Sequence, residues 1–337
     1  MRRRSLFGVI VGALVAFGVL ATVHSSSASA SGRYAKTNAH AGISIMGIRP
    51  TGRGQAGHGG PGGPGAGGHH GGGGSNNLSY HGGVGGIGVE TAPKLYLVLW
   101  GSQWNGNDPS GEASLLESFY GAAGGSKWLN SVTQYCQGVA SGTVFCNGAG
   151  QAAGNPSGLY AGVWSDNGAA APSRPSQNQL AAEAVNAAAH FGNTSSASNA
   201  SVQYVIATST GNSSSGFGTQ YCAWHSSTSS SYGNVAYTNL PYITDAGASC
   251  GANFNGLGAK AGITIVSGHE MAETITDQFP NGGWLDGSGA ENGDKCAWIT
   301  SGQGASANVS MGGGTYPVQS LWSNAFNSNA GGCVLSY

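Results

Sequence analysis

The sequence predicts an α/β (α+β) fold, one disulfide-stapled domain built around a mixed sheet. Three observations carry that expectation. Short apolar runs rich in β-formers are interleaved irregularly with stretches of helical spacing, which places strands and helices in one packed unit. Six cysteines, all between Cys136 and Cys333, form an even set without any C-x-x-C pair, so structural disulfides fit better than metal ligation. Residues 78–337 follow a glycine-rich stretch with a marked change of composition, and a segment of that length is within reach of one domain.

Lys94–Trp100 (KLYLVLW) predicts a buried strand. Residues 113–121 set Leu115, Leu116, Phe119 and Tyr120 at helical spacing. Residues 177–191 (QNQLAAEAVNAAAHF) are Ala-rich, begin after Ser176 as a capping residue and stop at Gly192, so they predict a helix. Val202–Thr208 (VQYVIAT) predicts a second strand, and residues 235–242 a weaker one. Residues 262–277 predict a helix followed by loops at Pro280 and Gly282-Gly283, and the C-terminal third is glycine-rich with short strands. For the cysteines, pairing of sequence neighbours (Cys136–Cys146, Cys222–Cys250, Cys296–Cys333) is the expectation.

The chain opens with MRRR, continues with an apolar run over residues 6–23 and reaches a small-residue site at Ala28-Ser29-Ala30. Those are the parts of a secretory signal peptide over residues 1–30, and Gly8, Gly12 and Gly18 dilute the run against the alternative of a membrane anchor. Residues 31–77 include RGQAGHGGPGGPGAGGHHGGGG, which has almost no side chains able to build a core, and read as a disordered linker or propeptide. His58, His69 and His70 within it read as incidental. Charged residues are only 7% of the chain and the net charge is −1, which excludes the basic footprint of a nucleic-acid binder and attraction to anionic membranes. A secreted, extracellular monomer is expected, and the cysteines suit an oxidising compartment.

The acids are not evenly spread. Of 13 Asp and Glu in the chain, six (Glu270, Glu273, Asp277, Asp286, Glu291 and Asp294) fall in residues 270–294. Like charges so close repel, and a bound cation or protonation relieves them. His269 and Glu273 are four residues apart, so a helix stacks them on one face, with Glu270 beside them. That is the layout of H-E-x-x-H metallohydrolases with Glu at the fifth position. His269 and Glu273 are therefore candidate zinc ligands, with calcium or manganese as alternatives because a carboxylate replaces an imidazole. A further ligand is expected from Asp294 or Glu291, with His225 a third candidate. Glu270 is the candidate general base, and His225 or Tyr242 the candidate group to steady a developing oxyanion. A serine-nucleophile reading lacks a G-x-S-x-G elbow, and the i, i+3 placement of Glu270 and Glu273 on one helix does not suit glycoside hydrolysis.

The stretches LSYHGG, LYLVLWG, CAWH, VSGHEMAETITD with GGWLDG after it, ENGDKC and the closing Cys333 run in this order through residues 78–337. Together they resemble the EXORDIUM-like, or phosphate-induced protein 1, family, known from plant cell walls and with bacterial relatives. The most specific element is the HExxE run followed by the E-x-x-D-x-C run, a zincin-like motif. The resemblance implies an extracellular, wall-associated protein in which Glu273 is a feature of the type and His269, Glu273, Glu291, Asp294 and His225 fall on motif positions. Two functions are expected from this point: a zinc metallopeptidase acting on protein or peptide, or a non-catalytic protein that binds cell-wall glycan or a partner through a structural metal or acidic site.

Overall fold

The computed structural model describes residues 42–50 and 76–337. Its centre is a six-stranded mixed sheet of β1 (Ser44–Gly47), β2 (Lys94–Trp100), β3 (Tyr160–Asp166), β4 (Val202–Thr208), β5 (Tyr221–Ser230) and β6 (Gly233–Leu240), in the order β1-β5-β6-β4-β2-β3. Strands β3, β2, β4 and β6 are parallel. Strands β5 and β6 form an antiparallel hairpin in which Ser230 faces Gly233, and Gly233 turns at φ 86°. Strand β5 in turn pairs antiparallel with β1.

The inner parallel strands read as apolar runs because both their faces are covered. Residues alternate across the sheet: Val98, Tyr204 and Ile206 pack on one side with Leu180, Ala181, Ala184 and Val185 of α2 (Gln177–His190). Leu97, Leu99 and Val205 point the other way, into a larger core shared with α1 (Glu112–Ala123) and α3 (Ala261–Thr276). Helix α2 starts with a reciprocal capping box, Ser176 accepting from the Gln179 N–H while the Gln179 side chain accepts from the Ser176 N–H.

Every residue of α3 is buried. Its apolar and polar faces are both covered, because α3 lies against α1, the sheet and a C-terminal hairpin of β7 (Ala307–Met311) and β8 (Gly314–Val318). Close approach explains its two glycines. A Cβ on Gly262 would stand 1.9 Å from the Cys250 carbonyl oxygen, and one on Gly268 would stand 2.9 Å from Trp128.

The three disulfides pair Cys136–Cys146, Cys222–Cys250 and Cys296–Cys333, the neighbour pairing expected from the sequence. Two of them hold parts of the site: one ties β5 to the segment entering α3, the other ties the 291–296 loop to the C-terminal residues.

Three strands of the six-stranded sheet lie outside the sequence-based expectations. Strand β5 is rich in Ser and Thr (YCAWHSSTSS), so it has no apolar run, yet most of it is buried between β1 and β6. Strand β3 alternates half-buried and exposed residues at the far edge. Strand β1 falls inside the 31–77 segment read as a disordered linker or propeptide, and Ser44–Gly47 is an ordered strand of the sheet with Met46 fully buried. Residues 31–41 and 51–75 of that segment, with His58, His69 and His70, and residues 1–30, read as a signal peptide, lie outside the described residues. Among the described residues no helix is long and apolar enough to cross a membrane.

Candidate metal centre

Three pieces of chain build the site. Helix α3 supplies His269, Glu270 and Glu273, strand β5 supplies His225, and the loop after α3 supplies Glu291 and Asp294. The helical spacing stacks His269 on Glu273, with Nε2 to Oε1 at 3.0 Å. His269 Nε2 also stands 3.7 Å from Asp294 Oδ1. His225 Nε2 lies 3.6 Å from Glu273 Oε2 and 3.0 Å from Glu291 Oε2. The groups form a chain, Asp294–His269–Glu273–His225–Glu291, with Glu273 at its middle.

The loop is held in place by its own backbone. The Asp294 N–H donates to Glu273 Oε1 at 2.8 Å, the Asn292 side chain donates to the Ala272 carbonyl at 3.3 Å, and the Trp322 N–H donates to the Asn292 carbonyl at 2.8 Å. Gly293 has no room for a side chain: a Cβ there would meet His269 Nδ1 at 2.8 Å and Glu273 Oε1 at 2.9 Å.

Gln319, just after β8, sets the protonation of His269. Its side-chain nitrogen donates to the Gly293 and Ser320 carbonyls at 2.8 and 3.2 Å, which turns its oxygen toward His269 Nδ1 at 3.2 Å. Nδ1 must then carry the proton, and Nε2 presents a lone pair to the site. Burial holds His269 down to about 3, so the ring is neutral near pH 7.

The carboxyls tell the same story from the other side. Burial pushes Glu270 and Glu273 well above the usual carboxylate range, and the charges of Asp294 and Glu291 push them further. Asp294 is raised from 3.8 to about 8, first by burial and then by Glu291. Among the described residues, His269 Nε2, Oε2 of Glu273 and Oε1 of Glu291 find no hydrogen-bond donor or acceptor and Glu270 meets only the Met46 N–H, although these side chains are buried. Orphaned buried polar atoms are costly, and so many facing one another call for a cation or for protons.

The remaining acids do other work. Asp277 accepts from the N–H groups of Asn281, Gly282 and Gly283 at 2.7–3.1 Å and shapes the turn after α3. Asp286 caps its own turn through Ser288 and Ala290 and pairs with Lys295 at 2.7 Å. Burial pushes Asp286 up, but Lys295 and Ser288 together outweigh it and leave the carboxyl below its ordinary value. Tyr242 is not brought to the cluster: its hydroxyl donates to Asp108 at 2.6 Å and accepts from the Ser110 N–H at 2.7 Å.

The structure thus gathers His225, His269, Glu270, Glu273, Glu291 and Asp294, and adds Gln319, Gly293 and Ser44, whose hydroxyl donates to Glu291. Gln319 and Ser44 stand in no recognisable motif, and only the fold brings them near α3, while Gly293 lies inside the ENGDKC run without a side chain to mark it. No protein-family model, curated protein or solved structure matches the chain, so the site's own geometry carries the functional argument.

Proposed function

We propose that the chain is a secreted metal-dependent hydrolase of peptide bonds, with zinc held by His269, Glu273 and Asp294, whose ligand atoms lie within 4.8 Å of one another. The observation that carries this reading is the pair His269 Nε2 and Glu273 Oε1, 3.0 Å apart, with the histidine's proton committed to Gln319 on the far side of the ring. Two tetrahedral zinc ligands at about 2.0–2.1 Å lie about 3.3 Å from each other. The histidine-to-carboxylate distances in that set, 3.0 and 3.7 Å, bracket that value. Two imidazoles in the cluster favour zinc over calcium, which takes oxygen ligands. The CAWH, GHEMAE and ENGDKC stretches behind the EXORDIUM-like resemblance are the ones that converge here, which supports the zincin-like reading.

A bound divalent cation supplies Lewis acidity and lets water act as the nucleophile near neutral pH. Glu270 takes a proton from that water as its oxygen attacks the peptide carbonyl carbon, and returns the proton to the nitrogen as the C–N bond breaks. Its raised pKa, caused by burial, suits a group that must both accept and donate. Gln319 keeps the His269 lone pair aimed at the site.

A structural metal site without turnover is the second reading, favoured by the near-complete burial of His225, His269, Glu270, Glu273 and Glu291. Glu270→Gln separates the two. The hydrolase reading expects casein or peptide-library cleavage to fall by about 10²–10⁴-fold at unchanged zinc content. Equal cleavage by Glu270→Gln and wild type overturns it.

A further inference from the structure

Among the described residues, β1 is the wall of the site that does not come from residues 78–337. Ser44 faces His225 and Met46 faces Ala223 in the antiparallel register with β5. The Ser44 hydroxyl donates to Glu291, and the Met46 N–H faces Glu270. Met46 is fully buried, while Ile43 and Ile45, on the alternate face, are 42% and 40% exposed. They line a cleft of about 400 Å³ with Arg174, Gln177, Tyr221 and Trp224. The strand is fastened at both ends, with the Gly42 carbonyl accepting from Ser226 at 3.0 Å and the Gly47 carbonyl accepting from Trp298 Nε1 at 2.8 Å.

Strand β1 therefore runs as an extended peptide across the general base and two of the candidate ligands. It pairs with β5, the sheet strand that would be the edge without it. An extended peptide adds to a free sheet edge through main-chain hydrogen bonds, with alternate side chains read by pockets.

We propose that β5 is the binding edge for an extended polypeptide and that residues 42–50 are a self-inhibitory strand lying in it, to be displaced before substrate enters. The importance of that edge rests on the hydrolase reading above; the occupancy itself is tested separately. A substrate in β1's place would carry a small side chain at the Ser44 position, an unbranched apolar one at the Met46 position and aliphatic ones at the Ile43 and Ile45 positions.

The test uses the full chain carrying Ile45→Pro and Met46→Pro, which removes two N–H groups from β1 and prevents it from pairing. Met46→Asp, which puts a charged side chain at a fully buried position of β1, serves if the proline variant fails to fold. The probe is a fluorescent peptide of residues 42–50, GISIMGIRP, followed by anisotropy on zinc-loaded protein. The folded variant should bind it at least about tenfold more tightly than wild type, and should cleave peptides faster by a similar factor. Adding Glu270→Gln to the variant should abolish cleavage and keep peptide binding. Peptide binding that is equal in wild type and variant, or missing from both, overturns the self-inhibitory strand. Peptide binding that opens in the variant without cleavage, zinc being bound, sustains the strand and sinks the hydrolase reading instead.

Discussion

Gln319 and Gly293 make no contact with a reacting atom, yet both determine what His269 can offer. Gln319→Leu removes the acceptor on Nδ1 and frees the ring to turn or to change tautomer. Zinc affinity should fall by about 10–100-fold in a competition titration with a chelator. Gly293→Ala should weaken zinc comparably, because its Cβ would press on His269 and Glu273 together. Wild-type affinity in either variant would remove these residues from the account. At this scale the sequence was informative where chemistry followed helical spacing. His269, Glu270 and Glu273 could be placed together from their numbers alone, and the E-x-x-D run added Glu291 and Asp294. Tyr242 could not be judged in that way, since its commitment to Asp108 comes from a contact 134 positions away in sequence. Gln319 was hidden for the same reason, being 50 positions from the histidine that it orients.

Among the elements, α3 has the least freedom. Gly268→Ala would bring a Cβ within 2.9 Å of Trp128 and 3.0 Å of Phe119, both packed in the core. Overpacking of this kind costs about 1–3 kcal/mol, to be read as a lower midpoint in urea unfolding. Ser176→Ala, which removes one half of the α2 capping box, should cost about 1 kcal/mol by the same measurement and leave zinc binding unchanged. Strands β2 and β4 and helices α2 and α3 were legible because each carries a strong local pattern: an apolar run buried on both faces, a capped Ala-rich stretch, a motif in helical register. Strand β5 was not. Its buried serines and threonines look like a loop, and only its position between β1 and β6 makes it a strand. Strand β1 is short and is followed by glycine-rich sequence, so nothing local separates it from a linker.

At the scale of the molecule, a protein with so few charges has placed several of its carboxyls in the interior. Glu90, Glu112 and Glu183 are raised to about 8 by burial, as is Asp294, and Glu270, Glu273 and Asp277 lie well above their ordinary range. The metal-free folded chain thus holds protons that the unfolded chain releases from about pH 4 upward, and its stability falls as pH rises from about 4 to about 8. Asp286, held low, pulls the other way at acid pH. Zinc replaces protons at the site, so the gain in melting temperature on adding zinc should grow between pH 6 and 8. A gain that is flat or shrinks over that range would mean the raised carboxyls do not ligate the metal. The central claim is that His269 and Glu273 anchor a metal ion, and elemental analysis of chelator-washed, zinc-reconstituted and desalted protein tests it most directly. Stoichiometric zinc in the wild type, lost in both His269→Ala and Glu273→Ala, is the predicted result. No stoichiometric zinc in the folded wild type, or zinc retained undiminished by both variants, would contradict it.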